Sequence, residues 1–164
     1  YEGLEAKLPF TDGLSSVEAL RFLLASLPDA ARTPAHVLVT AAMPVFAAAI
    51  ARRKAGRIPV PPDATRGQAA DLLHMLRGAP APDDHVRALD AYLVTVVDHG
   101  LNASTFAARV VAATRAGMVS SVIAGLCALK GPLHGGAPGP VLDMLDGIGS
   151  EEAIPGWLAG AVDR

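Results

Sequence analysis

The chain has 164 residues, of which 51% are hydrophobic and 18% charged, and its formal net charge is −2. A chain of this length can bury the core of one ordinary domain, and so apolar a composition excludes an intrinsically disordered polymer. The small negative charge provides no basic surface for a phosphate backbone, so we expect no nucleic-acid partner. The single cysteine, Cys127, excludes an intrachain disulfide and a cysteine-based metal site, which suits the cytoplasm. We expect Cys127 to be a small buried side chain.

Two runs, 33–51 and 116–129, contain no Asp, Glu, Lys or Arg and require a membrane check. The second is too short to span a bilayer, and the first contains His36 and Pro44, so we interpret both as buried helices and expect no membrane partner. The opening residues YEGLEAKLPF lack the apolar core of a secretory signal. Because they also lack an initiator Met, we expect an upstream piece of the protein.

The apolar residues recur at helical spacing along the chain, which predicts an all-α fold. The first predicted helix covers 16–27, because Ser15 and Glu18 form a capping-box pattern and Pro28 follows. A long helix should begin with Thr33 as its N-cap and kink at Pro44. The helices predicted after the first are 33–56, 68–77, 84–97, 104–114, 118–129, 140–146 and 151–164.

The predicted helices 104–114 and 118–129 are apolar on nearly every face and rich in Ala, Ser, Thr and Gly. Small side chains allow close packing of helices, and helices that are apolar all round must be covered on all sides. A domain of this size cannot cover both alone. We therefore expect a second subunit, or a further part of the same chain, to complete the packing.

The segment VDHGLN at 97–102 is the first candidate site, because Asp98, His99 and Asn102 cluster where a helix ends. An imidazole in such a position can donate a hydrogen bond to a carbonyl group or take up a proton near neutral pH. The alternative is a favourable histidine at a helix C-terminus, followed by an asparagine that caps the next helix. The spacing alone favours this structural interpretation.

His134 is the second candidate, because Gly131, Gly135 and Gly136 surround it and a helix begins soon afterwards. Glycines allow a ligand to approach the backbone closely, and the amides of a helix N-terminus favour a developing oxyanion. The same field disfavours an imidazolium, so a neutral ring could donate a hydrogen bond to a carbonyl group. The alternative is that the segment is only a turn. The remaining histidines, His36, His74 and His85, lack such a setting, and Trp157 is expected to anchor the last helix.

Two long blocks carry a family resemblance. DHGLNASTFAARVVAAT at 98–114 and ALKGPLHGGA at 128–137, followed by VLDML at 141–145, resemble the patterns D-H-E-x-N-A-S-T-F and K-G-P-L-H-G-G-A-N of citrate synthases. The blocks occur in order and at a family-like separation. The upstream stretches 43–57 and 61–78 are also similar, so the resemblance covers the chain from about Ser15 onward. Matched blocks of this length are more specific than a short glycine motif.

The resemblance implies a mainly helical homodimer that condenses acetyl-CoA with oxaloacetate to citrate and CoA, with neither metal nor redox cofactor. A close relative uses propionyl-CoA and forms 2-methylcitrate. By the same resemblance, His134 is catalytic, since it donates a hydrogen bond to the thioester carbonyl and stabilises the enolate. His99 and Asn102 would bind oxaloacetate. The residues implied to contact CoA are Leu133, Gly135, Gly136 and Ala137.

The resemblance also implies a division of the chain, with 1–137 in the large dimerisation domain and 138–164 beginning the small domain. Gly100 and Pro138 replace the family's usual Glu and Asn. The family's catalytic Asp, second catalytic His and clamping arginines would lie beyond Arg164, and the nearby carboxylates here are Asp98, Asp143 and Asp146. We therefore expect the 164 residues to be an incomplete portion, inactive alone. The alternative is a non-catalytic dimerisation or regulatory module on the same scaffold.

Overall fold

The computed structural model describes residues 3–28, 33–98, 100–136 and 138–162, and these contain helices, turns and loops without a β-strand. The all-α prediction is confirmed. The α-helices are α1 (Leu4–Lys7), α2 (Ser16–Ala25), α3 (Ala35–Lys54), α4 (Gln68–Arg77), α5 (Asp83–Thr95), α6 (Ala103–Ala113), α7 (Met118–Leu129), α8 (Pro138–Ile148) and α9 (Ile154–Val162). Two short 3₁₀ helices, Leu8–Thr11 and Glu151–Ala153, precede α2 and α9.

The predicted helix boundaries hold best where a side chain or a glycine caps the helix. The Ser15 hydroxyl accepts from the Glu18 amide while the Glu18 carboxylate accepts from the Ser15 amide at 2.9 Å, which completes the predicted capping box of α2. Gly78 ends α4 with a left-handed φ of 81°. The predicted cap of α3 is wrong, because Pro34 and not Thr33 occupies the N-cap. α3 continues through Pro44 as one helix.

The core lies where α2, α3 and α7 meet, and α1 with the first 3₁₀ turn closes one end of it. Leu23 and Leu24 of α2 are fully buried, and Phe46 and Ile50 of α3 pack in the same cluster. The other buried residues of this core are Leu4, Leu8, Ala19, Val39, Ala42, Ala49, Val119 and Leu126. α4 packs on α3, and α5 packs on α4.

Helix α3 is long and apolar enough to cross a membrane by length and composition, with a mean hydropathy of 1.6, and no other described helix is. A core helix of a soluble domain meets the same criteria. Phe46, Ala48, Ala49 and Ile50 of α3 are buried against the neighbouring helices. One side of α3 thus packs in the core as predicted, whereas only 33% of its apolar window is buried in the described chain.

Two arginines at the end of α3 donate hydrogen bonds to the segments before and after this helix. Arg53 donates two hydrogen bonds to the Asp12 carboxylate, at 2.8 and 2.7 Å, and these bonds lower the pKa of Asp12. Arg52 donates to the carbonyl groups of Ile58 at 2.6 Å and of Leu76 at 3.1 Å. The end of α3 therefore fixes the loop that leads to α4 and the last turn of α4 itself.

Helices α6 and α7 form an antiparallel pair joined by a short turn, and α7 packs its other side on α2. α7 buries Val119, Ser121 and Leu126, whereas α6 buries no residue. Phe106 and Val110 of α6 are 62% and 51% exposed. This uncovered apolar face is the surface that the predicted second subunit would cover; the homodimer itself stays a prediction, as do the domain limits at 137 and 138.

The predicted burial of Cys127 is wrong. The thiol lies on the exposed side of α7, where the Arg21 guanidinium approaches its sulfur at 3.7 Å. The apolar neighbours Leu126 and Ala128 misled the prediction, because only Leu126 of this stretch turns toward the core. A helix places adjacent residues about 100° apart, so one buried residue does not bury the next.

Candidate functional site

The loop 130–136, between α7 and α8, is a tightly folded turn that depends on its glycines. The backbone amides of His134 and Gly135 both donate to the Gly131 carbonyl, at 3.0 and 2.9 Å. A Cβ atom on Gly135 would collide with the Leu129 carbonyl oxygen, and one on Gly136 would collide with that of Pro132. The loop can therefore adopt this path only with glycine at both positions, because its own backbone packs against them. The predicted approach of a ligand to these glycines stays a prediction.

The His134 side chain turns from this loop toward the first turn of α6. Its Nε2 lies 2.9 Å from the Ser104 Oγ, and the ring is partly buried. The Ser104 hydroxyl in turn donates to the Asn102 Oδ1 at 2.7 Å. The same Oδ1 accepts from the Thr105 amide at 2.9 Å, so Asn102 is the N-cap of α6. The two sequence blocks thus meet in space as a chain of three polar side chains.

The direction of these hydrogen bonds determines where His134 carries its proton. A serine hydroxyl has one hydrogen, and in this geometry it points to Asn102. Ser104 then accepts from Nε2–H, and the neutral tautomer that fits this contact has its lone pair at Nδ1. In the other tautomer, reached when a proton carrier such as water takes the Nε2 proton and Nδ1 gains one, the Ser104 hydroxyl donates to Nε2. The Ser104 hydroxyl is therefore the group that selects the His134 tautomer.

The imidazole also lies within the field of a helix terminus. Ser104 is the second residue of α6, so the ring contacts the positive, N-terminal end of that helix. The predicted source of this field was the helix that follows the loop, and Ser104 was not among the predicted site residues. The signal was present, because Ser104 stands two residues after Asn102 inside the matched block.

The other predicted site residues divide into three groups. Leu133 at the tip of the loop is 100% exposed, so its whole side chain is available to a ligand. Asn102 caps α6, as the structural interpretation predicted, and its Oδ1 accepts hydrogen bonds from the Ser104 hydroxyl and the Thr105 amide. His99 and Ala137 lie outside the described residues.

The candidate carboxylates are not held next to His134 by any described hydrogen bond. The Asp98 carboxylate accepts from the Gly100 amide at 3.0 Å in a local turn. Asp143 and Asp146 are exposed on α8. Within the described ranges no group of three or more His, Cys, Asp or Glu side chains is arranged to hold a metal ion.

Trp157, His74 and His85 are among the other residues for which no functional role was predicted. Trp157 is partly buried on α9. The Nδ1 of His74 is shielded from solvent, and the structure gives it no hydrogen-bond partner among the described side chains and backbone groups. His85 is exposed on α5 and serves below as a control position.

Comparison with known proteins gives one family for almost the whole chain. Residues 6–164 match the family described as citrate synthase, C-terminal domain. Citrate synthase of Mycolicibacterium smegmatis is 44% identical over 76% of this chain and 33% of its own length. 2-Methylcitrate synthase of Mycobacterium tuberculosis is 35% identical over 98% of this chain and 42% of its own length.

A solved structure shows the same arrangement of helices. The crystal structure of citrate synthase from Pyrobaculum aerophilum has a TM-score of 0.73 and 30% identity, and the match covers 90% of this chain and 42% of that one. The chain thus spans between a third and less than half of the length of these relatives. Because the family match extends over nearly every residue, including both sequence blocks that build the His134 site, the chain belongs to the citrate synthase family.

Proposed function

We propose that the protein is a citrate synthase-type acyltransferase that condenses acetyl-CoA with oxaloacetate to give citrate and CoA. The observation that carries the proposal is the hydrogen bond between His134 and Ser104 at the N-terminus of α6. It joins the two family blocks at an imidazole that is partly buried and close to a helix dipole. Such a ring suits a reaction in which negative charge develops on a carbonyl oxygen.

The role of His134 follows from which nitrogen is free. Ser104 holds Nε2, so Nδ1 is the atom that can meet the thioester carbonyl of acetyl-CoA. A neutral ring donates from Nδ1 when Ser104 donates to Nε2, and Asn102 then still accepts from the Thr105 amide. The donated hydrogen bond strengthens as the thioester becomes an enolate, which lowers the barrier to removal of the methyl proton.

The remaining contacts are assigned by the family resemblance and by what each group can still offer. His99 would polarise the keto group of oxaloacetate. Asn102 would contribute its amide NH₂, since its Oδ1 is held by the Thr105 amide. CoA would lie along the glycine loop against Leu133, Gly135, Gly136 and Ala137, where the exposed Leu133 supplies apolar surface. No metal or redox cofactor is required by this chemistry.

We place the enzyme in the cytoplasm as a homodimer, with the exposed face of α6 at the subunit contact. The base that removes the methyl proton must reach the substrate directly. The family resemblance assigns the base to residues outside these 164, and we therefore expect the 164 residues alone to give no turnover.

The test is the release of the CoA thiol when the full polypeptide is mixed with acetyl-CoA and oxaloacetate. His134→Ala should lower kcat by about 10²-fold or more, as removal of an oxyanion donor does, with the KM for oxaloacetate nearly unchanged. His99→Ala should instead raise the KM for oxaloacetate. His85→Ala removes an exposed imidazole on α5 and should change neither constant.

Two results would redirect the proposal. Turnover that survives His134→Ala refutes the catalytic assignment. A folded dimer of the full polypeptide that releases no thiol with either acyl-CoA supports the non-catalytic scaffold instead. Parallel assays with propionyl-CoA decide between citrate and 2-methylcitrate as the product.

A further inference from the structure

Gly125 lies where α7 crosses the first turns of α6, and the crossing has no room for a side chain. A Cβ atom on Gly125 would lie 3.3 Å from the Ser104 carbonyl oxygen and 3.4 Å from the Ala108 Cβ. Both distances are at or below ordinary van der Waals contact for such atoms, so the two helix backbones are already as close as a glycine allows. The residue that Gly125 contacts, Ser104, is the one that binds His134.

We infer that Gly125 is a positioning residue for the His134 imidazole, and that it acts by holding Ser104 within hydrogen-bond reach of Nε2. The reasoning is geometric. His134 is attached to the end of α7 through a turn whose amides bind the Gly131 carbonyl, so the ring moves with α7. Ser104 belongs to α6. The separation of the two helices at Gly125 therefore sets the 2.9 Å distance between Ser104 and His134.

The consequence for the site follows from how steeply a hydrogen bond depends on distance. A methyl group at Gly125 would push the first turn of α6 away by a few tenths of an ångström. The bond from His134 to Ser104 would then approach the limit of useful hydrogen-bond geometry. Ser104 would no longer select the tautomer, and the ring would sample both. The catalytic consequence rests on the proposed function, whereas the consequence for the tautomer does not.

The direct test is nitrogen NMR of the histidine rings in the full polypeptide. Ser104→Ala defines the ring signals of a His134 without its partner. Gly125→Ala should shift the two His134 nitrogen signals toward the values that they have in Ser104→Ala. Ala108→Val crowds the same crossing from α6 and should have the same effect. Gly147→Ala on α8 adds the same methyl group with no atom within 4 Å and should leave His134 unchanged. Alanine is also the better helix former, so Gly125→Ala is expected to fold.

A double-substitution cycle decides whether Gly125 acts through Ser104. In the Ser104→Ala background, Gly125→Ala should cause no further shift of the His134 signals. An additional shift there, or unchanged His134 signals in both Gly125→Ala and Ala108→Val, overturns the inference. The signals of His36, His74 and His85 report whether the fold is retained.

Turnover of the same variants separates this inference from the proposed function. If both hold, Gly125→Ala lowers kcat about tenfold and leaves the KM for oxaloacetate unchanged, as loss of a supporting contact does. Shifted His134 signals with unchanged kcat support the positioning role and refute the catalytic role of His134. Unshifted signals refute the positioning role, whatever the turnover.

Discussion

The substitution Gly135→Ala tests whether the glycine loop gives His134 its position. The backbone of Gly135 is not in the left-handed region, so an alanine is not excluded by its dihedral angles. The obstacle is steric, because the new methyl group would collide with the Leu129 carbonyl oxygen. Backbone atoms cannot rotate aside as a side chain can. The turn must therefore open, and His134 must leave Ser104.

The magnitude can be estimated from the bonds that the opened turn loses. The His134 and Gly135 amides each donate one hydrogen bond to the Gly131 carbonyl. A backbone hydrogen bond contributes about 0.5–1.5 kcal/mol net, so opening the turn costs about 1–3 kcal/mol. The core of α2, α3 and α7 does not include the loop. We expect the free energy of unfolding to fall by about this amount without loss of the fold.

Urea unfolding measures the change in free energy, and the histidine nitrogen signals measure the separation of His134 from Ser104. The m-value should be unchanged, because the surface exposed on unfolding is nearly the same. Gly147→Ala is again the matched control, since its methyl group meets no atom within 4 Å. If Gly135→Ala retained both wild-type stability and wild-type His134 signals, the steric account of the loop would be refuted.

Further predictions concern the scaffold. Ser15→Ala removes the capping box and should lower the free energy of unfolding by about 1 kcal/mol, whereas no change would show that the box is not stabilising. Leu23→Ala truncates a fully buried side chain and should cost about 2–5 kcal/mol in urea unfolding. Cys127 should react with a maleimide in the folded protein, and protection until unfolding would contradict its exposure. The pKa values of Asp12 and Glu18 are lowered in the folded state by hydrogen bonds from Arg53 and Ser15, so their stabilisation is complete above the ordinary values of 3.8 and 4.5 and is lost as the pH falls through the lowered ones. The urea midpoint of the wild type should fall as the pH is lowered from about 5, and that of Asp12→Asn should fall less.

The helices could be predicted where local chemistry determines their ends. Two such ends are the capping box of Ser15 and Glu18 and the left-handed Gly78. Each acts within one helical turn, so a few adjacent residues of the sequence are enough to predict it. The segment Leu4–Thr11 was not predicted, because it is too short for helical periodicity. Its order comes from Leu4 and Leu8, which pack into the distant core, and such tertiary contacts are not visible in the local pattern.

The site was predictable in part for the same reason. The glycines around His134 left a ligand-binding loop and a plain turn as alternatives, and in the structure they are required by the turn itself. The partner of His134 is 30 residues away on another helix, and neither spacing nor composition brings Ser104 to it. The exposure of Cys127 was missed because helix orientation depends on which neighbours the helix packs against, here α2 and α6.

The Ser104 hydroxyl rotates about a single bond, on a picosecond to nanosecond scale when unhindered. Enzymes of ordinary speed complete one cycle in milliseconds to a second, so this rotor can reorient many times before each bond is made. Its oxygen stays anchored between Asn102 and His134 while its hydrogen changes sides. Ser104 can therefore hold Nε2 in either tautomer of the ring, while Nδ1 stays the nitrogen that faces the thioester.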